Sequence, residues 1–233
     1  MQCIYYILLS INLEVFIEVS NEILDEHIDK LLDVIKSIKE NRITVVVGAN
    51  GTGKSLIRKQ LNVRLIKDYD ENRNMVRHIS QQLRTELRSD MGALACIGMD
   101  SPTDPTSISS YDLINSVMNY DMKSKKYYIV LDEAEIGMSE ESILGLLNYL
   151  DSKMPSWLNN TLGVMIITHS DVIAEHFVKN YDCDFYSIGY NSVSQDFDAW
   201  KNRVIKPTDF EWLSEWSNRL FHRVNERSKS IKK

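Results

Sequence analysis

The chain has 233 residues, with 27 Lys plus Arg against 33 Asp plus Glu, a net charge of −6, and 43% hydrophobic and 26% charged residues. That is the balance of one soluble domain, or of a large and a small one packed together, with enough chain to bury a core without disulfides or structural metal. Glycine is sparse at nine residues, yet three of the nine, Gly48, Gly51 and Gly53, fall within six positions.

Cys3, Cys96 and Cys183 are odd in number, far apart and without metal-ligand spacing, so a reducing interior and a cytoplasmic location are expected. The apolar start MQCIYYILLSINLEVFIEV lacks a basic n-region and a small-residue cleavage site and carries Glu14 and Glu18, so it reads as strands and not as a signal peptide. No other apolar stretch approaches the roughly 18 residues of a membrane span, and no membrane partner is expected. Residues 201–233 hold nine Lys/Arg against four Asp/Glu, a net of +5 that leaves −11 for the rest. A solvated, basic helix end is the reading taken for this tail, with a nucleic-acid contact as the weaker alternative.

In chain order, Ile11 to Val19 alternates as a strand, and Leu24, Ile28, Leu31, Leu32, Ile35 and Ile38 form the apolar stripe of a helix capped by Ser20 or Asn21. ITVVV (43–47) is a β-branched run without polar alternation, as a strand buried on both faces requires. YYIVL (127–131) and GVMIIT (163–168) match it. Helical patterns lie near 54–67, 110–122, 140–151 and 171–179, with a last one near 209–228. Buried strands alternating with helices predict an α/β fold with a mostly parallel sheet flanked by helices, plus an N-terminal antiparallel strand region and a C-terminal helix. One domain over 1–233 is expected, with its core at about 40–180 and a helical, aromatic extension at 181–233.

Gly48, Ala49, Asn50, Gly51, Thr52, Gly53, Lys54 and Ser55 fit G-x-x-x-x-G-K-[ST] in full, directly after a buried strand and before the helical pattern SLIRKQLNVRLI. Glycines let successive backbone N–H groups turn toward phosphate oxygens, and the helix N-terminus adds partial positive charge. Lys54 then bridges the β- and γ-phosphates, and the Ser55 hydroxyl ligates Mg²⁺. YYIVL runs into Asp132-Glu133: an aspartate at a strand tip reaches the metal held by Ser55, and the adjacent glutamate polarises a water. The third buried strand ends at Thr168-His169-Ser170 on the same sheet edge, which puts His169 near the γ-phosphate.

The set GANGTGKS, YYIVLDEAEIGMSEE and GVMIITHS resembles an ABC-type P-loop ATPase of the soluble SMC-like and RecF-like branch, over roughly residues 40–180. The resemblance implies ATP and Mg²⁺ as cofactors, Asp132 as metal ligand, Glu133 as catalytic base and His169 as sensor of the γ-phosphate. AEIGMSEES resembles the segment that touches a partner subunit. A glutamine ligand to the metal falls on Gln82 or Gln81 in HISQQ, and the signature segment that contacts nucleotide across a dimer falls on Ser109 in SISSYDLI. There Ser110 and Tyr111 stand where the family has glycines, and without glycine the backbone cannot approach a γ-phosphate as closely.

The resemblance further implies an ATP-dependent homodimer, or a heteromeric complex with an effector protein, acting in DNA maintenance or phage defence. The alternatives are a P-loop nucleotide or small-molecule kinase and a non-hydrolysing ATP-binding switch. Trp200, Trp212, Trp216 and Phe221 are candidates for docking a partner helix, but the spacing Phe210, Leu213, Trp216, Leu220 reads first as a core stripe.

Overall fold

The computed structural model describes residues 21–71, 75–80, 127–190, 192–205 and 209–230. The expected strand at 11–19, the helix near 110–122 and the residues Gln81, Gln82 and Ser109 lie outside the described residues.

The fold is α/β. Helix α1 (21–37) leads to β1 (Ile43–Gly48), α2 (Lys54–Asp68), β2 (Val76–Ser80) and β3 (Tyr128–Asp132). After these come α3 (Glu140–Asn160), β4 (Gly163–Thr168), α4 (Asp171–Asn180), β5 (Cys183–Ile188), β6 (Val193–Ser194), α5 (Phe197–Lys201) and α6 (Phe210–Ser230). The six strands form one sheet in the order β2-β3-β4-β1-β5-β6, parallel throughout except for the short β6.

The β-branched runs behave as their composition dictates. Successive side chains leave a strand on opposite faces, and here both faces are covered. Val45, Val47, Ile129, Leu131, Val164 and Ile166 pack with α3 and α4 on one side. Val46, Val130, Met165 and Ile167 pack with α1 and α2 on the other. The α1 stripe Leu24, Ile28, Leu31 and Ile35 is buried as its spacing predicts, and Ile38, just past the helix end, is buried with it.

Two elements depart from expectation. Helix α3 continues nine residues past 151, through Pro155. A proline inside a helix costs about 3 kcal/mol, but Met154 and Trp157 are buried against the sheet by this extension, and burying each is worth about 1.5–3 kcal/mol. The aromatic stripe of α6 is only partly core: Leu220 is buried against Leu24 and Ile28, whereas Phe210 is 79% exposed. The basic character of α6 is largely neutralised within the chain, because Arg223 pairs with Asp25 and Glu226, and Arg227 with Asp25 and Asp29. Among the described residues, no helix is long and apolar enough to cross a membrane.

Strand register aligns the chemistry. Val47 lies opposite Thr168, and Asp132 opposite Ile167, so the loops that leave β1, β3 and β4 emerge on one edge. The chain leaves β1 for α2 on one face of the sheet and leaves the neighbouring β4 for α4 on the other. That divergence opens a crevice at the carboxyl ends of the strands, where open α/β sheets bind ligands.

Candidate functional site

Residues 48–55 close a loop between β1 and α2, the strand–loop–helix unit of a P-loop. Gly51 has φ +75°, a backbone that side-chain-bearing residues rarely adopt. The Thr52 hydroxyl donates to the Ala49 carbonyl at 2.9 Å and braces the loop from within. Lys54, 6% exposed, extends its ammonium across the loop to the carbonyl oxygens of Gly48 and Ala49, each at 3.0 Å. Ser55 is exposed at the start of α2.

Two expected residues converge on Lys54 of this loop. Glu133 Oε1 lies 2.7 Å from His169 Nε2 and 3.7 Å from Lys54 Nζ, and the lysine stands 3.1 Å from the same His169 nitrogen. A carboxylate only accepts, so Nε2–H donates to Glu133; the lysine is likewise a donor, makes no hydrogen bond to that nitrogen and is attracted to the Glu133 carboxylate. Glu133 holds φ +54°, an uncommon conformation for a residue with a side chain and one that concentrates at functional sites. Its N–H is fixed by the Ile167 carbonyl at 2.8 Å, which ties the end of β3 to β4.

The charges follow from these contacts. The hydrogen bond from His169 holds the Glu133 carboxyl below its usual range against the opposing effect of burial, with Lys54 adding to the depression. Burial pushes the Lys54 ammonium down, and Glu133 and Asp132 oppose that shift. At neutral pH the site therefore presents a carboxylate beside a cation in a half-enclosed cradle. A cavity of about 450 Å³ opens next to it, lined by Gly48, Ala49, His169, Tyr190, Arg203 and Trp212 among others.

Asp132 sits one residue earlier, with His78 Nε2 at 3.1 Å and Arg58 Nε at 3.8 Å from its Oδ2. Glu135 turns back so that its carboxylate accepts from the Thr168 hydroxyl and, at 3.1 Å, from the His169 N–H. It thereby fixes the turn that carries His169. Neither His78, Arg58 nor Glu135 stands out in sequence. The pairing of β2 with β3, Ser80 opposite Asp132, is what brings His78 to the aspartate, and no local pattern encodes that pairing.

The residues fit the groups that the motifs call for. Gly51 and Gly53 have no protein acceptor for their N–H groups among the described residues, and these donors stand in one loop with the buried Lys54 ammonium, a combination that suits an anion. The Ser55 hydroxyl and the Asp132 carboxylate are hard oxygen donors of the kind that suit Mg²⁺. No group of three or more His, Cys, Asp or Glu capable of holding a metal occurs among the described residues. A metal here would therefore draw the rest of its ligands from phosphate and water.

No family model matches the chain, and no curated protein matches it. Among solved structures, the chain is similar to cbiO1 from Clostridium perfringens, part of the ABC transporter complex cbiONQ, with 17% identity, TM-score 0.42, and 67% of this chain and 77% of that one covered. It is also similar to an ATP-binding subunit of an ABC transporter, with 14% identity, TM-score 0.41, and 77% and 89% covered. A third is the dimeric ATP-binding cassette MJ0796 in a post-hydrolysis state bound to ADP and Pi, with 13% identity, TM-score 0.44, and 68% and 87% covered.

Proposed function

We propose that the chain is an ABC-type P-loop ATPase that binds ATP with Mg²⁺ at residues 48–55 and hydrolyses its γ-phosphate. The observation that carries this reading is the meeting of Lys54, at the start of α2, with Glu133 and His169, at the ends of β3 and β4, within 3.7 Å of one another at a phosphate loop.

Each residue has a role its surroundings support. The loop N–H groups and Lys54 bind and orient the phosphates. Ser55 and Asp132 would hold Mg²⁺, with His78 and Arg58 orienting the aspartate. Bound Mg²⁺ would supply neutralisation of the β- and γ-phosphate charge. Glu133, kept ionised by His169, accepts the proton of the attacking water. His169 donates to that carboxylate and stands where it reads the γ-phosphate. The turn after Glu133 leaves Ile136 43% exposed at the site's edge, which supports contact with a second subunit or an effector in an ATP-dependent complex.

Phosphate release by the purified chain with ATP and Mg²⁺, set against Lys54→Ala, tests the reading. Charge-assisted hydrogen bonds of about 1.5–3 kcal/mol predict a loss of roughly 10- to 100-fold in ATP affinity for Lys54→Ala. Equal affinity in the two proteins contradicts it.

A further inference from the structure

The outside of the phosphate loop is held by residues from far along the chain. His27, on α1 and fully buried, places Nε2 2.8 Å from the Thr52 carbonyl. Tyr190, just after β5, donates its hydroxyl to the Asn50 carbonyl at 3.0 Å. A carbonyl cannot donate, so His27 carries its proton on Nε2; its other nitrogen is buried without a partner among the described residues. Burial favours the same neutral ring.

The consequence follows from peptide geometry. In a planar trans peptide the C=O of one residue and the N–H of the next point in opposite directions. Drawing the Thr52 and Asn50 carbonyls outward turns the N–H groups of Gly53 and Gly51 inward, and these are the donors without an acceptor in the protein. Both anchors are steadied by one residue of α6: the Trp216 ring lies edge-on 5.6 Å from His27 and 5.8 Å from Tyr190.

We propose that His27 and Tyr190 are positioning residues for phosphate, aiming the Gly53 and Gly51 amides by holding the preceding carbonyls from outside the loop. The inference rests on the nucleotide reading above and adds to it two residues that act on phosphate through the loop backbone. It also gives the α6 aromatics a task inside their own chain.

The test compares ATP with inorganic tripolyphosphate by titration calorimetry. Tyr190→Phe removes only a hydroxyl and leaves the ring against Trp212 and Trp216, so the fold is kept. It weakens both ligands by the same factor, about three- to tenfold for one hydrogen bond, while the melting temperature of the free protein falls by no more than about 5 °C. His27→Leu gives a loss at least as large for both ligands, and His27→Gln, whose amide N–H reaches the Nε2 position, restores most of it. A loss for ATP but not for tripolyphosphate, or full affinity in Tyr190→Phe and His27→Leu, overturns the anchoring alone. A native chain that binds neither ligand overturns the nucleotide reading and the anchoring together.

Discussion

His169 Nε2 lies 2.7 Å from Glu133 Oε1, although the two residues are 36 positions apart and end different strands. A base needs a free lone pair and a fixed direction, and this contact supplies the second while leaving the other carboxylate oxygen available. Glu133→Gln keeps the shape and the loop but cannot accept a proton, so it retains ATP binding and lowers phosphate release by roughly 10²- to 10⁴-fold. His169→Ala leaves the carboxylate in place without its orienting donor and gives a smaller loss. Undiminished phosphate release by Glu133→Gln overturns the assignment of Glu133 as the base.

The same contact and the buried His27 set the acid limit of the fold. Burial holds the His27 pKa below 6.5 in the native protein, so the unfolded chain binds a proton that the native one refuses. Stability is therefore full above pH 6.5 and declines as pH falls from there through the lower native pKa. Glu133 has its native pKa below 4.5, so its contribution is lost only as pH falls below that value. Urea midpoints at pH 7.5, 6.5 and 5.5 should fall more steeply for the native chain than for His27→Gln. Parallel curves would show that His27 is not held neutral.

Much of this site can be read from sequence because its parts are local. A phosphate loop is eight consecutive residues, and an acidic pair closes a β-branched run, so Gly48 to Ser55, Asp132 and Glu133 announce themselves. The buried strands are equally legible, since a sheet covered on both faces admits no polar alternation. What sequence hides is pairing across distance. His78 is a polar residue in a short strand until β2 lies beside β3, and His27 is one of many polar residues on an amphipathic helix until Thr52 is found 25 residues away. The end of α3 was hidden for a different reason: Pro155 is a local stop signal, and only the burial of Met154 and Trp157 overrides it.

Helix α6 seats on α1 through Leu220, 3% exposed against Leu24 and Ile28. Leu220→Ala removes buried methyls from that seam at a cost of about 2–5 kcal/mol, which for a chain of this length lowers the melting temperature by roughly 5–15 °C. Phe221→Ala, one position on and 53% exposed, moves it little. Equal effects of the two substitutions in a thermal melt would mean that α6 is not seated as described.

Two glycines of the loop separate steric from conformational necessity. Both carry positive φ, +155° at Gly48 and +75° at Gly51, so alanine is strained at either. Their surroundings differ. A Cβ on Gly48 would stand 2.3 Å from the Ile188 carbonyl oxygen, which is backbone held in the β1–β5 pairing and has no way to yield without parting the strands. A Cβ on Gly51 would meet the Ser217 hydroxyl at 2.4 Å and a Leu213 methyl at 2.8 Å, both ends of side chains that can rotate away on α6. Gly48→Ala therefore destabilises the protein more than Gly51→Ala, for which the conformational cost of about 1–2 kcal/mol dominates. Gly51→Ala still weakens phosphate binding, because relief of the strained φ of +75° turns the amide at that position. Paired denaturant melts and tripolyphosphate titrations check both halves, and a Gly51→Ala protein as unstable as Gly48→Ala would mean that α6 does not yield at Ser217 and Leu213.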